Sequence, residues 1–107
     1  MAKGKAKDPL GNVVSGLQRI ADILGDEEAA ADWLYMSLQL DAARQFCGQS
    51  AEPFAQNAAK VAGVSHLPTP DAFRAAAESA AEALSSLGAE DRTGALKHVN
   101  AIIHGLS

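Results

Sequence analysis

Four interruptions in this chain carry the chemistry that ends one helix and starts the next, and they fix the number of elements. In "GDEEAAADW", Gly25 is placed to stop a helix and Asp26 to cap another. Glu27 and Glu28 then fall in a first turn, where the helix dipole favours anions. "GQSAEPF" repeats the pattern, with Gly48 as stop, Ser50 as cap, and Glu52 and Pro53 in the first turn, where a missing N–H does no harm. "LPTPDAF" offers Thr69 as cap with Pro70 at the first helical position, and Gly88 ends the segment that follows. The punctuation predicts five helical segments, near 9–24, 26–47, 51–63, 70–87 and 90–105.

Hydrophobic periodicity agrees. At about 100° per residue, Leu10, Val13, Leu17, Ile20 and Leu24 form one stripe, with Val14 and Ile23 at its edges. Phe54, Ala58, Val61 and Ala62 form the stripe of the third segment. Phe73, Ala76, Ala77, Ala80, Leu84 and Leu87 share a face of the fourth, and Leu96, Val99, Ile102, Ile103 and Leu106 a face of the last. Ala, the best helix former and a poor strand former, makes up roughly a fifth of the residues, and no β-branched run suggests a sheet. The predicted fold is all-α. A single compact bundle of about five helices spans 9–107, behind a disordered basic tail at 1–8.

The second segment gathers the unusual side chains. "DWLYMSLQLDAARQFCG" holds the only Trp, the only Tyr and the only Cys of the chain. Trp33, Met36, Leu40, Ala43 and Cys47 fall within roughly a quarter of the circumference, while Leu34, Tyr35, Leu38, Ala42, Phe46 and Ala31 take a second, broader arc. Only narrow polar strips remain, Ser37, Asp41 and Arg44 on one side and Asp32 and Gln39 on the other. A helix apolar nearly all round is a buried helix. This one is therefore expected to run through the middle of the bundle, its bulky residues facing the alanines of its neighbours. If four neighbours fail to cover it, the broader arc becomes an exposed patch of the kind that marks a binding or oligomer surface.

Charge narrows the choice of partners. The net charge is −4, but Lys3, Lys5 and Lys7 stand in a first stretch of seven residues that has no acid. The remaining hundred residues carry six basic groups against thirteen acidic ones. An acidic body is repelled by phosphate backbones, which argues against nucleic acid as the main partner. No apolar run approaches the roughly 18 residues needed to span a bilayer, and no apolar stretch follows the N-terminal lysines as in a secretory signal. A cytoplasmic protein that makes no use of a membrane is expected.

Few residues offer chemistry. Cys47 has no partner for a disulfide, and His66, His98 and His104 lack zinc-ligand spacing. Gly63, Ala95 and Ala101 stand three residues before those histidines, where a di-iron bundle needs Glu. Asp32 and Asp41 lie about 180° apart on a helix, so they form no acid–base pair. Cys47 shares a stripe with Trp33 and Leu40, which predicts a buried, inert thiol. No catalytic residue, metal ligand or cofactor is assigned, and an enzyme ranks third, behind the two functions given below.

The run "AAKVAGVSHLPT" resembles the turn of helix-turn-helix repressors, which often read A-x-x-A-G-V-S, here Ala59, Ala62, Gly63, Val64 and Ser65. The resemblance covers about seven residues and implies a DNA-reading helix beginning near Ser65. Pro70 would break the interior of that helix and push Thr69 out of α conformation. The stretch is therefore read as a helix C-terminus followed by a rigid loop.

Two functions fit what remains. The first is a non-catalytic interaction module that forms a homodimer, or docks an accessory protein, through Leu34, Tyr35, Leu38, Ala42 and Phe46. The second is a small-molecule binder with an apolar interhelical pocket around Trp33, Met36, Leu40 and Cys47, gated by the loop 63–70; the plainer alternative is that these four simply pack as core.

Overall fold

The computed structural model describes residues 9–64 and 66–107. The basic tail expected at 1–8 lies outside them, as does Ser65. Five helices follow in order, α1 (Pro9–Gly25), α2 (Trp33–Ser50), α3 (Pro53–Val61), α4 (Pro70–Gly88) and α5 (Arg92–Leu106). Among the described residues there is no strand. None of these helices is long and apolar enough to cross a membrane.

Four of the helices close a ring. α4 packs along both α2 and α5, α5 packs along α1, and α1 meets α2 more loosely. The core fills the space between them. It takes Leu17, Ile20 and Leu24 from α1, Met36, Leu40, Ala43 and Cys47 from α2, and Val99, Ile102 and Leu106 from α5. From α4 it takes Phe73, Ala76, Ala80, Ala83 and Leu87, so three alanines let α2 and α5 come close to that helix. Among the described residues the core has no buried polar or charged side chain.

The ring corrects the expectation that α2 runs through the middle. α2 is one wall. Its narrow stripe faces inward as predicted, with Met36, Leu40 and Cys47 fully buried and Trp33 half-buried against the core. Its broader arc is not covered by the chain. Leu34 is 71% exposed and Leu38 62%, Ala42 is exposed, and Tyr35 and Phe46 are half-buried. Four helices can enclose a core between them, but they cannot also surround one of their own number.

Helix α2 also starts seven residues later than predicted. Asp26 does not cap it. Its carboxylate accepts the Glu28 N–H, an Asx turn, and the true cap is Asp32, whose side chain accepts the Tyr35 N–H at 3.0 Å. Ala29, Ala30 and Ala31 would favour helix, but only by a few tenths of a kcal/mol each. Arg92, at the start of α5, overrides them. Its Nε donates to the Leu24 carbonyl at 3.1 Å. Its Nη2 donates to the carbonyls of Ile23, Asp26 and Ala29 at 2.8, 2.8 and 3.0 Å. The guanidinium thus caps the C-terminus of α1 and holds the connection in a non-helical turn.

The other boundaries follow the same logic. Gly48 does not stop α2; the helix runs on to Ser50, because the first strong barrier is Pro53. Glu52 before it is extended at φ −72°, ψ 144°, as a residue preceding proline must be. Thr69 caps α4 as predicted, accepting the Ala72 N–H at 3.1 Å. α4 ends at Gly88, as predicted. The turn comes two residues later at Glu90, which carries the left-handed φ of 56°. The Glu90 N–H donates to the Leu87 carbonyl and the Asp91 N–H to the Ser86 carbonyl, which makes a Schellman ending with Glu where Gly is usual.

Helix α3 stands apart. It packs lightly against α2 and contributes no buried residue. The stripe predicted to face the core faces solvent instead, with Phe54 84% and Val61 80% exposed and Ala58 and Ala62 exposed beside them. The helix ends at a second Schellman turn, where Gly63 takes φ 86° and the Val64 N–H donates to the Ala59 carbonyl. The stretch resembling a helix-turn-helix is thus a helix end and a loop, and the next helix starts only at Pro70.

Candidate functional site

Two surfaces stand out, at opposite ends of α2. The first is the outer face of its N-terminal half. Leu34, Leu38 and Ala42 recur every four residues and so lie along one face. Asp41, on the border of that face, is already engaged within the chain. Its carboxylate accepts from the Arg44 guanidinium and, at 2.8 Å, from the Gln45 amide. The Arg44 hydrogen bond is the main reason the Asp41 carboxyl is held below its ordinary value. The border therefore presents an ion pair rather than a bare anion, and an apolar partner meets little unpaired charge there.

The second surface is a groove of about 790 Å³ at the C-terminal end of α2. Leu10 and Val14 of α1, Phe46 of α2, Leu67, Phe73 of α4 and Leu106 of α5 form its apolar walls, and Ala55 and Ala59 give it the inner side of α3. Phe46 stands edge-on to Phe73, with ring centres 6.0 Å apart and planes at 80°. Among the described residues that line the groove, His66 is the one ionisable side chain. The floor is rigid, since Phe73 is 1% and Leu106 2% exposed and both belong to the core.

The pocket predicted around Trp33, Met36, Leu40 and Cys47 is not where the open space lies. None of the four lines the groove or the smaller cleft of about 190 Å³ between α1 and α2, where Gly16, Gln39 and Ala42 meet. Met36, Leu40 and Cys47 are packed core. Phe46, predicted on the interaction surface, lines the groove, and so do Val64, His66 and Leu67 of the loop predicted as a gate. The structure thus splits the predicted interaction surface. Leu34 and Leu38 share the outer face, Ala42 sits exposed between that face and the cleft against α1, Tyr35 turns partly inward against the core, and Phe46 belongs to the groove.

Cys47 is a free thiol with no exposed surface, and burial pushes it up to about 11. It supplies no thiolate near neutral pH. His98 lies 3.2 Å from the Glu82 carboxylate on the outside of the α4–α5 pair. Among the described residues, no three of His, Cys, Asp and Glu converge as metal ligands would.

Sequence reasoning missed Arg92, which nothing in "EDRTG" distinguishes from a solvated cation. It also missed the groove, whose walls come from all five helices and the loop before α4. The Leu34–Leu38 face was within reach, because four-residue spacing on a helix is visible without a structure. No protein family, no curated protein and no solved structure matches this chain.

Proposed function

We propose that this protein is a non-catalytic self-association module in which two copies pair through the outer face of α2. One observation carries the reading. Leu34 and Leu38 lie one turn apart on the same face, 71% and 62% exposed, on a helix whose opposite side is fully engaged in the core. Apolar side chains placed together in water mark an interface more often than a bare surface. Two-fold pairing is the simplest way to cover them, because one patch serves both partners. In an antiparallel α2 pair centred on Leu38, Leu34 of each copy meets Ala42 of the other, so large side chains face small ones. The in-chain Asp41–Arg44 pair at the edge keeps like charges from opposing one another strongly. The test is Leu34→Glu with Leu38→Glu, with mass measured by light scattering after gel filtration and helicity by circular dichroism. The reading expects a wild-type dimer and a helical monomeric variant. A wild-type monomer, or a dimer that the double variant leaves intact, contradicts it.

A second reading has its own observation. The groove has the volume and the largely apolar lining of a small-molecule site, at about 790 Å³. An apolar ligand would lie between Phe46, Phe73 and Leu106, not beside Trp33. Titration with 1-octanol, followed through the methyl signals of Leu67 and Leu106, tests it. Saturable shifts confined to the groove support the reading, and linear drifts spread over the chain reject it.

A further inference from the structure

Helix α3 is amphipathic, yet it is seated with its apolar stripe outward. Phe54 and Val61 are 84% and 80% exposed, while the side turned to the groove carries only Ala55 and Ala59. The groove beneath it is apolar and open. Each is what the other lacks, and they are separated by one step of the helix. Successive residues are about 100° apart. A roll of α3 by one residue therefore puts Phe54 where Ala55 now points and Ala58 where Ala59 points, with Val61 moving inward beside them.

What holds the outward seat is visible. The Gln56 side-chain amide donates to the Ser50 carbonyl at 3.0 Å and to the Pro68 carbonyl at 3.3 Å, bridging the segments that flank α3. The same roll carries Gln56 away from both. No buried side chain opposes it, because α3 has none. The helix is also bounded by joints: an extended Glu52 before Pro53, and Gly63 at φ 86° after Val61.

From these observations we infer that α3 is a strap with two seats, an outward one latched by Gln56 and an inward one in which Phe54 enters the groove. The inward seat narrows the groove and hides Phe54 and Val61 together, so the strap sets how much apolar surface that end of the molecule offers. It is independent of pairing through α2, since its readout is the position of α3 itself.

The experiment is NMR on the wild-type chain and on Gln56→Ala, measuring backbone relaxation dispersion and contacts from the Phe54 ring to methyl groups. Exchange confined to residues 53–64 and to the methyls of Leu67 and Leu106 is expected. Cross-peaks from the Phe54 ring to those methyls should grow at least about twofold in Gln56→Ala. Phe54→Ser should abolish the exchange, because the inward seat then loses its largest apolar group. A static α3 in both proteins, outward or inward, overturns the inference, as does exchange that Phe54→Ser leaves unchanged.

Discussion

Replacing Arg92 by Met keeps much of the length and the apolar stem of the side chain and removes its donors together with its charge. Four carbonyls lie within 3.1 Å of the guanidinium, three of them on Nη2. That nitrogen has two hydrogens, so its three acceptors share two donors, and the arrangement amounts to three hydrogen bonds. A hydrogen bond to a charged group contributes about 1.5–3 kcal/mol. Arg92 is only half-buried and the 25–28 turn is exposed, so water would satisfy part of what the side chain leaves. A loss of about 2–4 kcal/mol is expected after that discount. For a domain of this size it corresponds to a fall in Tm of roughly 10–20 °C. Urea unfolding followed by Trp33 fluorescence is the assay, since Trp33 opens α2 just beyond the clasped turn. Arg92→Lys should recover less than half of the loss, because a point charge cannot address four carbonyls on two segments. A methionine variant within about 0.5 kcal/mol of wild type would refute the clasp. A lysine variant equal to wild type would show that charge at the α1 terminus, not the fork of donors, is what matters.

Other positions give smaller, equally definite expectations. Glu90→Gly should raise stability by about 0.5–1 kcal/mol, since φ 56° strains any residue with a Cβ, and chemical denaturation will show it. Gly94→Ala should cost about 1–2 kcal/mol, because a Cβ there would overlap the Asp91 carboxylate that caps α5. In the Asp91→Ala background most of that cost should vanish when the cycle is measured by thermal melts. The Cys47 thiol, raised to about 11 by burial, favours the folded state while it stays protonated. Its contribution is complete below the unfolded value near 8.5 and is lost as pH rises through about 11. Cys47→Ala should flatten the alkaline fall of stability in that window, and the native thiol should react with an aromatic disulfide at pH 8 only as fast as the chain opens.

Legibility in the sequence followed the range of the interaction. Thr69 and Pro70 were readable because a cap and its helix are neighbours in the chain. The inward stripes of α1, α4 and α5 were readable because packing against a core imposes the 3.6-residue period. Asp26 and Asp32 are equally good caps by chemistry. What separates them is Arg92, more than sixty residues away, so no local rule could choose. Gly25 and Gly88 do end α1 and α4, but Gly48 misled, because glycine permits a stop without forcing one, while Pro53 forces one and Glu90 accepts the strained turn. For α2, composition showed two apolar arcs but not which would be covered; that depends on four helices forming a ring. For α3, the period correctly gave an amphipathic helix, yet its orientation is set by Gln56 bridging two carbonyls. Of the four residues read as pocket or core, Met36, Leu40 and Cys47 are core and Trp33 packs half-buried against it. Bulky side chains on one helix say where mass is concentrated, and open space lies where elements diverge.

Sedimentation velocity of the wild-type chain over a hundredfold range of concentration reads the pairing of α2 faces without any substitution. A dimer that persists on dilution is expected, its Leu34 and Leu38 faces buried against each other. A strict monomer at every concentration would contradict that pairing.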